Sequence, residues 1–224
     1  MLLLAHAKPY YVAPVYPVVF AGGGVMVEHW LESGWRRRAR PLVVGGMLLG
    51  GAALAPFALP ILPLQTTDRV IQQLLGAAVR PADLTLEFHE QFGWPEQAAT
   101  VAEVFRRLPE EERRLAAILT HDYPEASAID FFGPGLGLPP AVSGHMTYYL
   151  WGPSDQRVEV FIAYGMPEAA LERVFADVRP AATISHPLAS AWHTDLVVYV
   201  CRAPRRPLAE VWPELKRYRF RDRP

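Results

Sequence analysis

The sequence predicts a membrane helical hairpin followed by an α/β domain with a mostly parallel sheet and helices on its faces. Three observations carry that expectation. Charge is unevenly spread: residues 1–64 hold seven charged side chains, Lys8, Glu28, Glu32, Arg36, Arg37, Arg38 and Arg40, and the other 160 residues hold 38. The charge-poor part contains two uncharged runs, 10–27 and 41–64, of 18 and 24 residues. In the charge-rich part, short apolar runs alternate with helical periodicities of about ten residues, the pattern of a layered α/β fold. Composition excludes other classes. A net charge of −1 supplies no field for nucleic acid, and one cysteine excludes a disulfide framework or a multi-cysteine zinc site. A hydrophobic content of 51% excludes disorder.

Residues 1–64 form the membrane part, with spans at about 10–31 and 41–62. As helices the two uncharged runs reach roughly 27 and 36 Å, against a hydrocarbon core of about 30 Å. Pro56, Pro60 and Pro63 end or kink the second helix near Ala55–Leu59. The alternative, a buried helical hairpin of a soluble protein, sits poorly with 24 residues free of charge. Met1–Ala5 has no basic region before it and no small-residue cleavage site after it, so it is not a signal peptide. It reads as the tail of an earlier membrane helix. Gly22, Gly23 and Gly24 lie inside an apolar span and follow no strand, so they are a helix-packing feature and not a phosphate loop. Between the spans, Arg36, Arg37, Arg38 and Arg40 keep the connector cytoplasmic, with Trp30 and Trp35 at that interface. The protein is then a multi-pass cell-membrane protein, the lipid bilayer is its first partner, and the large domain is extracytoplasmic. A lipid-head-group site is the rival reading of the arginine cluster.

Residues 65–85 form an amphipathic connecting helix, with Val70, Ile71, Leu74, Leu75 and Val79 apolar at helical spacing, and 86–224 form the α/β domain. Helices are expected at Glu96–Leu108, Pro124–Phe132, Pro167–Val178 and Leu208–Tyr218, each opened near a proline. Strands are expected at Leu115–Leu119, Ala141–Ser143, Val158–Ala163, Ala182–Ile184 and Leu196–Cys201, with a charged turn from Pro109 to Arg114.

Four groups of residues could carry chemistry. His6, Lys8, Tyr10 and Tyr11 crowd the mouth of a proline-broken membrane segment, where an ammonium and phenolic hydroxyls can hold an anionic head group. The simpler role is an aromatic belt with one snorkelling lysine. His121-Asp122-Tyr123-Pro124-Glu125 sits where a strand turns into a helix, the rim on which open α/β sheets bind ligands. Adjacent strand-end residues point in opposite directions, which argues against a metal on His121 and Asp122, and Glu125 complements the helix dipole. His145, Tyr148, Tyr149 and Trp151 offer rings to stack on a sugar, or else pack under a loop. His186, Trp192, His193 and Asp195 form a last polar-aromatic stretch with no serine or cysteine elbow nearby, and Cys201 is a small core residue within a strand. No metal and no cofactor is implied.

The run Lys8-Pro-Tyr10-Tyr11-Val-Ala-Pro14-Val-Tyr16-Pro17 resembles the Lys-x-x-Tyr-x-x-Pro-x-x-Pro segment of polyprenyl-phosphate-sugar-dependent glycosyltransferases of the GT-C architecture. These are related to the dolichyl-phosphate-mannose protein mannosyltransferases and the lipid A aminoarabinose transferase. Phe92-Gly93-Trp94-Pro95-Glu96, Ala126 to Gly133 with Ile129-Asp130-Phe131-Phe132, Ser143-Gly144-His145 to Leu150-Trp151-Gly152-Pro153, and Asp195 to Arg202 resemble the C-terminal domain of bacterial members. The resemblance implies sugar transfer from a polyprenyl-phosphate carrier to an extracytoplasmic acceptor. It implies Lys8 as a contact to the donor phosphate, with His6, Tyr10 and Tyr11 beside it, and Tyr123, His145 and Trp151 as acceptor or sugar contacts. The family's catalytic carboxylates lie in a first extracytoplasmic loop that this sequence does not show. The chain is therefore expected to be a C-terminal portion, inactive without an N-terminal membrane portion as partner, and no catalytic residue is assigned. The alternative is a noncatalytic membrane-anchored domain that binds sugar or lipid.

Overall fold

The computed structural model describes residues 13–32, 34–76, 84–153 and 158–218. The chain divides into two compact units, Met1–Pro63 and Leu64–Pro224.

In the first unit, α1 (Tyr16–Trp30) has Pro17 in its first turn, where the missing N–H has no helical partner to lose. Its 15 residues reach only about 22 Å. α2 (Arg36–Ala58) has 23 residues, about 35 Å, and is long and apolar enough to cross a membrane. It starts inside the arginine cluster, several residues before the expected 41. Leu59, its C-cap, is extended (φ −125°, ψ 143°) because the following Pro60 crowds an α conformation. No residue of α2 is buried, and Leu42 and Leu49 are 78% and 74% exposed. Open space surrounds Gly22, Gly23 and Gly24, so the packing expected of them has no partner among the described residues. The apolar surface of α2 is stable only in an apolar surrounding.

The second unit opens with α3 (Leu64–Leu75), which buries Leu64, Thr67 and Ile71. Its Asp68 accepts a hydrogen bond from Thr85 Oγ1 at 2.8 Å and lies 3.3 Å from His89 Nε2. α4 (Trp94–Arg107) starts after Gly93, whose φ of 91° and approach to Ala189 suit only glycine. α5 (Glu110–Arg114) occupies the stretch expected as a charged turn. Then come β1 (Ala116–Thr120), α6 (Tyr123–Phe132), β2 (Ala141–Ser143), α7 (Met146–Trp151), β3 (Val160–Tyr164), α8 (Glu168–Val174), β4 (Phe175–Ile184), β5 (Leu196–Pro204) and α9 (Leu208–Val211).

The strand order is β2-β1-β3-β5-β4. β1 pairs in parallel with β2 and β3, whereas β5 pairs antiparallel with β3 and β4. The α/β class holds, but the sheet is mixed and not mostly parallel. The reason lies at Val174–Phe175. The helix expected through Val178 stops at Val174, and the next ten residues are strand. No crossover helix separates β4 from β5, so the chain returns through the loop 185–195 and pairs antiparallel. β4 is an edge strand, and Pro180 with the irregularity before Ala182 blunts it.

Both faces of the sheet are covered, as alternation demands. Ile118, Ile162, Val198 and Val200 face Ala98, Val101 and Ile129 from α4 and α6. Ala117, Leu119, Phe161 and Cys201 face Leu171, Phe175 and Trp212 on the other side. Burial first of all pushes the Cys201 thiol up to about 12, so it is an inert core group. Arg202 donates two bonds, of 2.9 and 2.7 Å, to Glu112, fixing α5 against β5 and holding the Glu112 carboxyl below its usual value.

Ile118 is fully buried and Phe131 is 79% exposed. Ile118→Ala should cost about 2–5 kcal/mol in denaturant unfolding of the full chain in detergent, and Phe131→Ala within about 0.5 kcal/mol. Equal losses would contradict the core assignment.

Candidate functional site

The C-terminal ends of β2, β1 and β3 are level, because Thr120 pairs with both Ser143 and Tyr164. From β1 the chain passes through α6 to β2 on one side, while β3 lies on the other. This is a topological switch point, where open sheets leave a crevice. His121, Asp122 and Tyr123 occupy it.

Asp122 caps α6. Its side chain takes the backbone N–H of Glu125, and Glu125 Oε2 accepts the Asp122 N–H at 3.0 Å, a reciprocal capping box. Glu125 is fully buried, beyond the dipole role expected from its position. Gly165, at φ 78°, lets the backbone pass its carboxylate, which any Cβ there would strike. Tyr164 Oη donates to the Glu125 carbonyl at 3.0 Å, and burial, then the Glu125 charge, pushes that hydroxyl far above its ordinary value.

His145 lies wholly inside. Its Nδ1 accepts the Tyr123 N–H at 3.2 Å and stands 3.4 Å from Asp122 Oδ1, and the two rings are 5.4 Å apart. A lone pair used this way assigns the ring proton to Nε2. Burial lowers the His145 pKa, with the Asp122 charge opposing it and Arg217 adding to it.

The last described segment closes the site. Arg217 N donates to the Gly144 carbonyl and Met146 N to the Arg217 carbonyl, both at 2.9 Å, a parallel bridge that extends the β2 edge. Gly144 is required there, since a Cβ would overlap the Leu215 carbonyl. Arg217 then reaches across. Its Nη2 donates to Asp122 Oδ1 at 3.2 Å and to the His121 carbonyl, and its Nη1 lies 2.5 Å from His121 Nε2. A guanidinium has no acceptor, so that imidazole nitrogen accepts, while His121 Nδ1 faces Asp122 Oδ1 at 3.1 Å. For Asp122, burial alone raises the carboxyl pKa, but the His121 bond and the Arg217 charge outweigh it and hold the group below its usual range.

His121 and Asp122 therefore converge, contrary to the expectation that they point in opposite directions. β1 ends at Thr120, so both residues lie beyond the strand and turn toward one another. Among the described residues no group of three ligands fits a metal ion. Tyr123 is 38% exposed over buried His145, so the structure brings these two expected residues together. Trp151 lies at the exposed end of α7, its ring 4.5 Å from Tyr148. Tyr148 Oη donates to Asp130 Oδ2 at 2.6 Å, and burial, then that bond, pushes it up to about 12. His186 stacks on Phe92, and the His193 ring lies tilted against Trp94 with centroids 4.4 Å apart, so that stretch packs against the start of α4. His6, Lys8, Tyr10 and Tyr11 lie outside the described residues. Arg217 was invisible as a site residue, having been read as the end of a helix. The one usable signal was a glycine, Gly144, next to a histidine at a strand end.

Beside the cluster is a cavity of about 360 Å³. Its lining includes His121, Gly144 and Arg217, the arginines Arg173, Arg205 and Arg206, and the apolar Leu119, Leu171, Phe175 and Leu215. No protein-family model, curated protein or solved structure matches the chain.

The two depressed pKa values give a pH profile. His145 titrates lower in the folded state than its unfolded value near 6.5, so the unfolded chain binds the extra proton between the two. The stability is complete above that value and is lost as pH falls through the folded pKa. Asp122 adds a second loss below about pH 4. The unfolding midpoint of the full chain in uncharged detergent should fall from pH 7 to 5, and less steeply in His145→Gln. A flat wild-type profile would contradict the assignment.

Proposed function

We propose that the chain acts as the C-terminal, membrane-bound part of a polyprenyl-phosphate-sugar-dependent glycosyltransferase, with 64–224 on the extracytoplasmic face. One observation carries the reading: the motif residues that resemble that family join one hydrogen-bonded unit. Asp130 of the 126–133 motif accepts from Tyr148 and from the Ala141 amide, Gly144 admits the last described segment, and His145 supports Tyr123. The orientation is supported by four arginines at the start of the one helix, among the described residues, long and apolar enough to cross a bilayer.

In this reading Lys8, with His6, Tyr10 and Tyr11, holds the carrier phosphate as a leaving group, and its ammonium stabilises the charge that develops there. The base that deprotonates the acceptor hydroxyl belongs to an N-terminal membrane portion, the partner of this chain. In this reading α2 crosses the membrane, the expected span at 10–31 crosses it as well, and the α/β domain is presented beside the donor.

The test is titration of the full chain, held in zwitterionic nanodiscs, with a polyprenyl-phosphate-linked sugar. Saturable binding is expected, weakened about tenfold or more by Lys8→Ala, as a charge-assisted phosphate contact is worth roughly 1.5–3 kcal/mol. Absence of binding by the wild type would overturn the reading. Equal affinity for the sugar freed of its lipid phosphate would favour the noncatalytic sugar-binding domain.

A further inference from the structure

The cavity beside Arg217 has a charge pattern that the transferase reading does not use. Among the described residues four arginines and one histidine line it, with Glu214 as the only carboxylate, although the chain as a whole carries a net charge of −1. Two of those arginines are already engaged. Arg206 Nη2 pairs with Glu214 at 2.5 Å, and Arg217 is held by Asp122 and His121. The other two keep their charge. Arg205 Nε donates to a neutral carbonyl, that of Glu172, at 3.3 Å, and among the described residues no carboxylate pairs with Arg173. Arg173 comes from the last turn of α8 and Arg205 from just beyond β5, so two separate elements bring these two arginines to the lining of one cavity. The same cavity is also lined by the apolar residues Leu119, Leu171, Phe175, Val211 and Leu215.

We propose that this cavity binds a phosphate monoester with a small apolar body, its phosphate held by Arg173 and Arg205 and its body against Leu171, Phe175 and Leu215. The charge count selects phosphate. Two unneutralised guanidiniums match a group of about −1.5 to −2 at pH 7 whose three free oxygens accept from both forks, whereas a carboxylate satisfies one. The volume selects size, since about 360 Å³ takes a body of one ring or a short chain. Such a phosphate can reach the cavity as a soluble ester or as the monoester head group of phosphatidic acid. The inference rests on the cavity alone and stands whether or not the chain handles a lipid-linked sugar.

The probe is phenyl phosphate, with inorganic phosphate and phenol as the two halves of the ligand, titrated calorimetrically into the full chain in phosphatidylcholine nanodiscs. Phenyl phosphate is expected to bind at least tenfold tighter than inorganic phosphate, and phenol not to bind. The Arg173→Gln/Arg205→Gln double variant should weaken phenyl phosphate at least tenfold. Arg179→Gln, which removes an exposed arginine paired with Asp177 outside the cavity, should leave it unchanged. Nanodiscs containing phosphatidic acid tell the sources apart: competition with phenyl phosphate marks a lipid head group, and no competition a soluble ester. Equal binding of phenyl and inorganic phosphate, no binding of phenyl phosphate, or an unchanged affinity in the double variant would each overturn the proposal. None of these outcomes bears on the titration with a lipid-linked sugar, which reads Lys8.

Discussion

The constraint on which the second unit turns is the crossing of its last described segment over Gly144. Everything at the switch point depends on that close approach. The segment bridges the β2 edge through the amides of Met146 and Arg217, and only then can the Arg217 guanidinium reach Asp122 and His121 across a sequence separation of 95 and 96 residues. A guanidinium beside the Asp122 carboxylate offsets the cost of burying that charge, which the α6 N-terminus alone would not cover. With Asp122 held as an anion, the capping box with Glu125 closes and α6 has a fixed start. His145 then sees a fixed backbone N–H at Tyr123. Removing Arg217 would leave a carboxylate that is 7% exposed without its countercharge.

The two units differ in where their apolar side chains lie. In 64–224 the apolar residues pair across both faces of a sheet, and the charges that do go inside, Asp122 and Glu125, carry bonds to backbone amides. In α2 the reverse holds: its large apolar side chains face outward and none is buried. One sequence thus contains a core that water creates and a surface that water would destabilise. α2 is the described helix that is long and apolar enough to cross a membrane.

How much of this was legible in the sequence follows from the range of the interactions concerned. β2 was readable to the residue, and α6 nearly so, because a proline, an acidic N3 residue and a closing glycine are local signals. The end of α2 was readable from Pro60. The α8–β4 boundary was not, since Phe175 and Val178 continue the helical spacing of Leu171 and Val174. What converts them to strand is pairing with β5, which no window of ten residues contains. α7 escaped because its start at Met146, with φ 52°, depends on the distant Arg217 carbonyl. Tyr123 and His145 could be nominated from their place at strand ends, but the meeting of His121 with Asp122 could not. Side chains alternate only as far as Thr120, where β1 ends, and His121 and Asp122 both follow it. Arg217 carried no local mark at all.

The most direct test of the central constraint is a double-mutant cycle between Asp122 and Arg217, measured as unfolding free energies of the full chain in uncharged detergent at pH 7 for Asp122→Asn, Arg217→Gln and the pair. The account predicts a coupling of about 1–3 kcal/mol, each single change costing nearly as much as both. Losses that add to within about 0.5 kcal/mol would mean that the two groups stand near each other without holding anything in place.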